Sequence, residues 1–249
     1  QGEDSVAFST TPPHDFTVNN LPAGVHNFHV RMYDSLNCAT SNIVSMTVGE
    51  QVPYQGVPAT IPGSFWAGDY DYFEGGIAQG IAYQDLDIVN QGDYRVHEWV
   101  DASDHPSEGP VIGWLGAGEW LEYTVDVQTA GMYDVVLRYA SGNNAGGGPL
   151  RIESDGQVVK NNITFNGTGD WNAWASKTVT SVPMKSGKQI IRLFIEHGEF
   201  NLGELQFTLS GSLPYSQPLA DAGPTQVIVI PASSSTLDAS ASTDPGALH

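Results

Sequence analysis

The chain is expected to be all-β, built around one large β-sandwich, and three observations predict it. It carries 28 Gly and 15 Pro in 249 residues, with 10% aromatic and only 15% charged side chains, the profile of a turn-rich β protein. Apolar residues alternate with polar ones, in runs bounded by Gly and Pro, from about Ile61 to Leu209. No stretch shows an apolar stripe of helical period long enough to compete.

The elements follow in order. Residues 5–10, 15–21, 26–34 and 42–48 read as four strands, with Phe28, Val30 and Met32 on one side of the third and His29, Arg31 and Tyr33 on the other. Four strands make at best half a sandwich. GEQVPYQGVPATIPG (49–63) reads as a linker stiffened by proline. The clearest strands come next. Leu121, Tyr123, Val125 and Val127 alternate with Glu122, Thr124 and Asp126. Tyr133, Val135, Leu137 and Tyr139 form one face of the following run. Ile191, Leu193 and Ile195 repeat the pattern, as do Leu205, Phe207 and Leu209. Some 150 residues can bury a proper core. Trp114 and Trp120 are expected in strands and in that core.

Charge narrows the function. With 28 acidic against 9 basic side chains, the formal net charge is −19. Such a surface repels phosphate backbones and anionic lipid, so nucleic acid is not an expected partner. No run of about 18 apolar residues exists to cross a membrane. Cys38 stands alone and cannot form an internal disulfide. The chain opens on Gln1 without a signal peptide and is read as a fragment of a longer protein.

The most telling stretch is GTGDWNAWASKTV (167–179), where a Gly-rich polar turn pushes Trp171 into a loop. A flat apolar plate in a loop suits the C–H face of a sugar ring; folded back, it would serve as a lid on the core. The acid-rich HEWVDASDHPSE (97–108) has two His but no His-Glu-x-x-His pair and reads as a solvated loop. No spacing singles out a glycosidase carboxylate pair, and no Gly-x-Ser-x-Gly elbow appears. The chain is therefore not expected to be an enzyme.

Five segments, in order, resemble family 6 carbohydrate-binding modules: IPGSFWAGDYD (61–71), NQGDYRVHEWVD (90–101), VIGWLGAGEWLEYTV (111–125), GTGDWNAW (167–174) and EFNLGELQF (199–207). The resemblance implies a jelly-roll-type β-sandwich over 61–212, with a sugar site in the loops at one end. Carried over by position, Tyr94 and Trp171 are the clamping rings and Asn201 the amide that fixes hydroxyls; Glu98 is an added acceptor. It also points to departures. The family's structural calcium takes acidic side chains at positions that here read Trp66, Gly68 and Gly203, so no cofactor is expected, with Asp69, Asp71 and Glu204 as the neighbours that would have to rebuild a calcium site.

Two flanking resemblances complete the layout. LPAGVHNFHVRMYDS resembles the late strands of bacterial immunoglobulin-like domains, so residues 1–50 are expected to be the C-terminal part of one, followed by a linker at 51–60. After a second linker at 213–219, residues 220–249 resemble the opening of a polycystic-kidney-disease (PKD) type domain. The expected protein is a non-catalytic, monomeric, polysaccharide- or oligosaccharide-binding module. It would be secreted, extracellular or at the cell surface, and would target a glycoside hydrolase to its substrate; the alternative is a glycan-binding adhesion module.

Overall fold

The computed structural model describes residues 9–11, 17–33 and 37–214. The PKD-type resemblance (220–246) lies outside the described residues, as does most of the strand expected at 5–10.

The N-terminal part is β but thinly paired. Strands β1 (Gly24–Phe28), β2 (Arg31–Tyr33), β3 (Cys38–Thr40) and β4 (Val44–Val48) make two separate two-stranded pairings, β1 with β4 and β2 with β3. The expected single strand over 26–34 is broken at His29 and Val30, and residues 17–21 are not in a strand. Val30 and Met32 are exposed, so alternation here marks no buried face. Two-stranded ribbons have nothing to bury an apolar side against.

The stretch expected as a linker contains short paired strands, one of which joins a sandwich sheet. Strands β5 (Gln51–Val52), β6 (Ala59–Ile61), β7 (Gly63–Trp66), β8 (Tyr72–Phe73) and β9 (Tyr83–Gln84) follow one another. β5 pairs with β8, and β6 runs parallel to β12 (Trp120–Val127). Prolines 53, 58 and 62 sit between these short strands rather than inside them, where they cost no ladder bond. Ile61 is fully buried.

The sandwich is completed by β10 (Ala102–His105), β11 (Gly109–Ile112), β13 (Gly131–Ala140), β14 (Gly147–Ser154), β15 (Gln157–Phe165), β16 (Ala175–Met184), β17 (Gly187–Ile195) and β18 (Asn201–Gly211). One sheet has the order β10-β11-β18-β13-β16, with β7 also on β18; the other has the order β15-β14-β17-β12-β6, with β9 also on β12. Every pairing but β6–β12 is antiparallel. The fold is a jelly-roll-type β-sandwich.

The period-2 runs face the core as expected. Leu121, Tyr123, Val125 and Val127, then Tyr133, Val135, Leu137 and Tyr139, then Ile191, Leu193 and Ile195 are all buried, with Leu205 and Phe207. Leu209, at the far end of β18, is exposed. Polar residues on the outer face of the second sheet pair across strands: Arg192 meets Glu122 at 2.6 Å and covers the Trp120 ring at 4.1 Å. Trp120 is thus half-buried under a guanidinium rather than in the core.

Candidate functional site

At one end of the sandwich, four Gly-rich loops converge: 113–118 after β11, 141–147 between β13 and β14, 166–174 between β15 and β16, and 196–200 before β18. Their hydrogen bonds lock them to one another. Ser141 and Thr168 bond reciprocally: the Ser141 N–H donates to Thr168 Oγ1 at 2.9 Å, and that hydroxyl lies 3.0 Å from the Ser141 carbonyl. Ser141 Oγ donates to the Glu199 carbonyl at 2.7 Å. Such cross-links hold loop backbones that no ladder satisfies.

This frame carries two open tryptophans. Trp171 is 43% exposed, and its indole lies over Gly142, where a Cβ would come within 2.6 Å of Nε1 and Cε2. Only glycine lets the ring settle there. Asn201, the first residue of β18, donates its side-chain amide to the Trp171 carbonyl at 2.9 Å. The bond joins the loop before β16 to the start of β18, thirty residues further on.

The second open ring is one that sequence reasoning put in the core. β11 ends at Ile112, so Trp114 lies past the strand, 64% exposed and at φ +49°. A bulky aromatic in the left-handed region is a true outlier, of a kind that concentrates at ligand sites. Gly113 seats it beside the amide: a Cβ there would approach Asn201 Oδ1 at 2.8 Å. Asn201 thus stands between the Trp171 backbone and the Gly113–Trp114 turn. The signal was present in the sequence as LGAG directly after Trp114, a loop rather than a strand.

Tyr94 and Glu98 are brought together elsewhere, not to Trp171. Tyr94 packs partly buried against the core, donates its hydroxyl to Asp69 Oδ1 at 2.9 Å and lies 2.5 Å from the Tyr54 hydroxyl. Its backbone bonds Ala102, which pairs with Ile112, which pairs with Leu202. Three strand spacings, roughly 14 Å, therefore separate it from the Asn201 end of β18. Burial holds the Asp69 carboxyl above its ordinary range, with the Tyr94 hydrogen bond pulling the other way. Glu98 accepts from Tyr83 Oη at 2.8 Å and the Ala78 N–H at 3.3 Å. Between them Arg95 stacks on Tyr70 and Tyr72, at 3.5 and 4.0 Å from the ring centroids, and donates to the carbonyls of Tyr70 and Asp71. These residues knit a long loop to the sandwich. The partners come from distant parts of the chain, Tyr54 and Asp69, which is why spacing did not disclose them.

The calcium positions are filled by other chemistry. The Trp66 ring lies against Gly109, and Gly203 lies under Trp174 and the Arg138 stem. Arg138 forks Glu108 through Nε at 2.9 Å and Nη2 at 2.7 Å. Asp71 is spent on Thr124 and Gln51. Among the described residues, no group of three or more His, Cys, Asp or Glu is placed to hold a metal ion. The residues present do not fit a calcium cage, which needs six to eight oxygens.

Residues 93–209 match the family described as Carbohydrate binding module (family 6). That stretch is a domain of the family 6 carbohydrate-binding type.

Two curated proteins are similar to parts of the chain at the sequence level. Exo-beta-D-glucosaminidase of Amycolatopsis orientalis is 44% identical over 63 residues, 25% of this chain and 6% of the relative. Cycloisomaltooligosaccharide glucanotransferase of Niallia circulans is 28% identical over 120 residues, 47% of this chain and 12% of the relative. The chain thus spans a small part of each. Among solved structures, the C-terminal family 6 module of a marine laminarinase from Zobellia galactanivorans is similar at 25% identity and TM-score 0.39, over 43% of this chain and 88% of that one. A Clostridium stercorarium family 6 module in complex with cellobiose is similar at 19% identity and TM-score 0.47, over 62% of this chain and 99% of that one.

Proposed function

We propose that the family 6 domain binds a polysaccharide through the loop end of its sandwich, with Trp114 and Trp171 as the sugar-facing rings and Asn201 as the polar group between them. The observation that carries this reading is the Asn201 side chain, bonded to the Trp171 carbonyl while its oxygen lies against Gly113, the residue before Trp114. Two exposed indoles offer flat faces to pyranose C–H surfaces, and burying them removes apolar area from water. The amide supplies a donor and an acceptor for vicinal hydroxyls. Stacking plus a few hydrogen bonds, less ordering costs, leaves roughly 4–8 kcal/mol, a Kd of about 1 mM to 1 μM.

Weak binding of this size suits a module tethered to an enzyme, where avidity does the rest. Both curated relatives are named for acting on saccharides and are far longer than the match. These names support a non-catalytic domain appended to a larger, secreted glycan-active enzyme. The glucosaminidase makes amino-sugar polymers the first ligands to test. With β6 paired into the sandwich and β5 paired to β8 just before it, we take the module to begin at about residue 51.

Affinity electrophoresis of the 249-residue chain tests the reading, using soluble β-glucans, xylan, galactans and chitosan in the gel. At least one glycan should retard the wild type and not Trp171→Ala. Retardation by none, or equal retardation of both proteins, overturns it.

A further inference from the structure

We infer that Glu199 selects for a sugar bearing a cationic amine, so that the ligand class is an amino-sugar polymer rather than an acidic glycan. The inference rests on the loop-end site proposed above.

Three observations place Glu199 in that site. First, its segment is wedged between the carriers of the two open tryptophans. A Cβ on Gly198 would collide with the Leu115 carbonyl, next to Trp114. On the other side the Glu199 carbonyl accepts from Ser141 Oγ, and its carboxylate lies 3.4 Å from Asn143 Nδ2. Asn143 follows Gly142, over which the Trp171 indole lies. Second, Glu199 is exposed, and Asn201, two residues on, is the amide of the site. Its carboxylate therefore stands in the solvent-facing rim among Trp114, Trp171 and Asn201.

Third, the field in this rim has one sign. Loops 113–118, 141–147, 166–174 and 196–200 contain no Lys and no Arg, but hold Asp170, Glu196 and Glu199, with His197. Glu196 is neutralised by Arg151 at 3.0 Å. Asp170 accepts the Asn172 N–H at 2.8 Å and shapes its own turn. Among the described residues the Glu199 carboxylate has only the long contact to Asn143, so it is the carboxylate left for a ligand. An ammonium group meeting it forms a charge-assisted hydrogen bond, roughly twice as strong as a neutral one. A carboxylate or sulfate on the sugar would meet repulsion and find no guanidinium fork.

The test is a titration of the full chain, wild type and Glu199→Gln, with a glucosamine oligomer, its fully N-acetylated counterpart and a uronate oligomer, at about pH 6, where an amine is protonated. The wild type should bind the amine form more tightly than the acetylated form. The ratio of the two affinities should fall about tenfold in Glu199→Gln, the worth of one charge-assisted bond. The same preference should shrink at high salt. An unchanged ratio in the variant, or a wild type that prefers the acetylated or uronate oligomer, overturns the role of Glu199 while leaving the loop-end site standing. Binding of no oligomer at all overturns the role of Glu199, while the loop-end site is decided by the glycan panel above.

Discussion

Asn201 donates its side-chain amide to the backbone carbonyl of Trp171 at 2.9 Å, tying the last strand of the sandwich to the loop that holds an open indole. The bond joins residues thirty positions apart and leaves the Asn201 oxygen against Gly113. The Trp171 loop is thus held by Asn201, beside which the chain turns at Gly113.

The first prediction separates ring from core. Trp114→Ala and Trp171→Ala should each weaken glycan binding by about 2 kcal/mol or more, roughly thirtyfold, as buried aromatic anchors do. Neither should lower the melting temperature by more than about 3 °C, because exposed plates leave no large cavity. Paired titration and thermal melts check this. A fall of many degrees in Trp171→Ala would mean that the ring is a lid on the core.

Tyr94 should show the opposite pattern. It packs against the core and its hydroxyl serves Asp69 and Tyr54. Tyr94→Ala should cost roughly 2–4 kcal/mol of stability. Tyr94→Phe should cost about 1–3 kcal/mol, because it strips a partner from a carboxylate held in a low-dielectric setting. Glycan affinity at a temperature where both variants are folded should stay within about twofold of the wild type. A large loss of affinity with unchanged stability would restore Tyr94 to the binding site.

These contrasts show what a sequence can and cannot disclose. The sandwich was legible because period-2 alternation in β12, β13 and β17 is what burying one face of a strand requires. The loop position of Trp171 was legible because a Gly-rich turn is a local feature. Trp114 was misplaced because VIGW looks like one continuing strand, whereas β11 stops two residues earlier and Gly113 turns the chain. Tyr94 was misplaced because its partners, Tyr54 and Asp69, lie 40 and 25 positions away. The strands within the expected linker at 51–60 were not legible for a similar reason. Strands of two and three residues carry no periodicity, and their pairing with β8 and β12 is decided by tertiary contact.

Acid should stabilise the fold. Burial pushes the Glu119 carboxyl up to about 7 and Asp101 up to about 6, with Asp85 also raised. Glu119 accepts the Gly116 N–H at 2.8 Å, and Asp101 accepts the Gln91 N–H at 2.5 Å. A carboxyl with a raised folded pKa contributes stability that is fully present below its unfolded value, about 4, and is lost as pH rises through the folded value. The melting temperature should therefore fall between about pH 4 and pH 7, by the equivalent of roughly 1–3 kcal/mol. Repulsion within the −19 surface acts in the same direction, so Glu119→Gln is the control and should flatten the slope between about pH 4 and 7. An unchanged slope would remove Glu119 as its source.

Chelation should do little. Trp66, Gly68 and Gly203 offer no side-chain oxygens, and the Arg138–Glu108 fork ties β13 to the turn between β10 and β11 at this place. EDTA should move the melting temperature by less than about 1 °C, because only an ion that prefers the native state stabilises it. Magnesium at equal ionic strength controls for diffuse cation binding to the acidic surface. A calcium-specific shift of several degrees would show a site built by other residues.

The central claim is that glycan binds at Trp114 and Trp171, and one measurement reads it residue by residue. The chain has six tryptophans, each giving one indole N–H signal in a nitrogen-15 correlation spectrum. Titration with the best-binding oligosaccharide from the electrophoresis panel should shift the Trp114 and Trp171 signals with a common Kd, leaving Trp66, Trp99, Trp120 and Trp174 in place. A titration that moves Trp99 or Trp120 while Trp114 and Trp171 stay fixed would contradict the account.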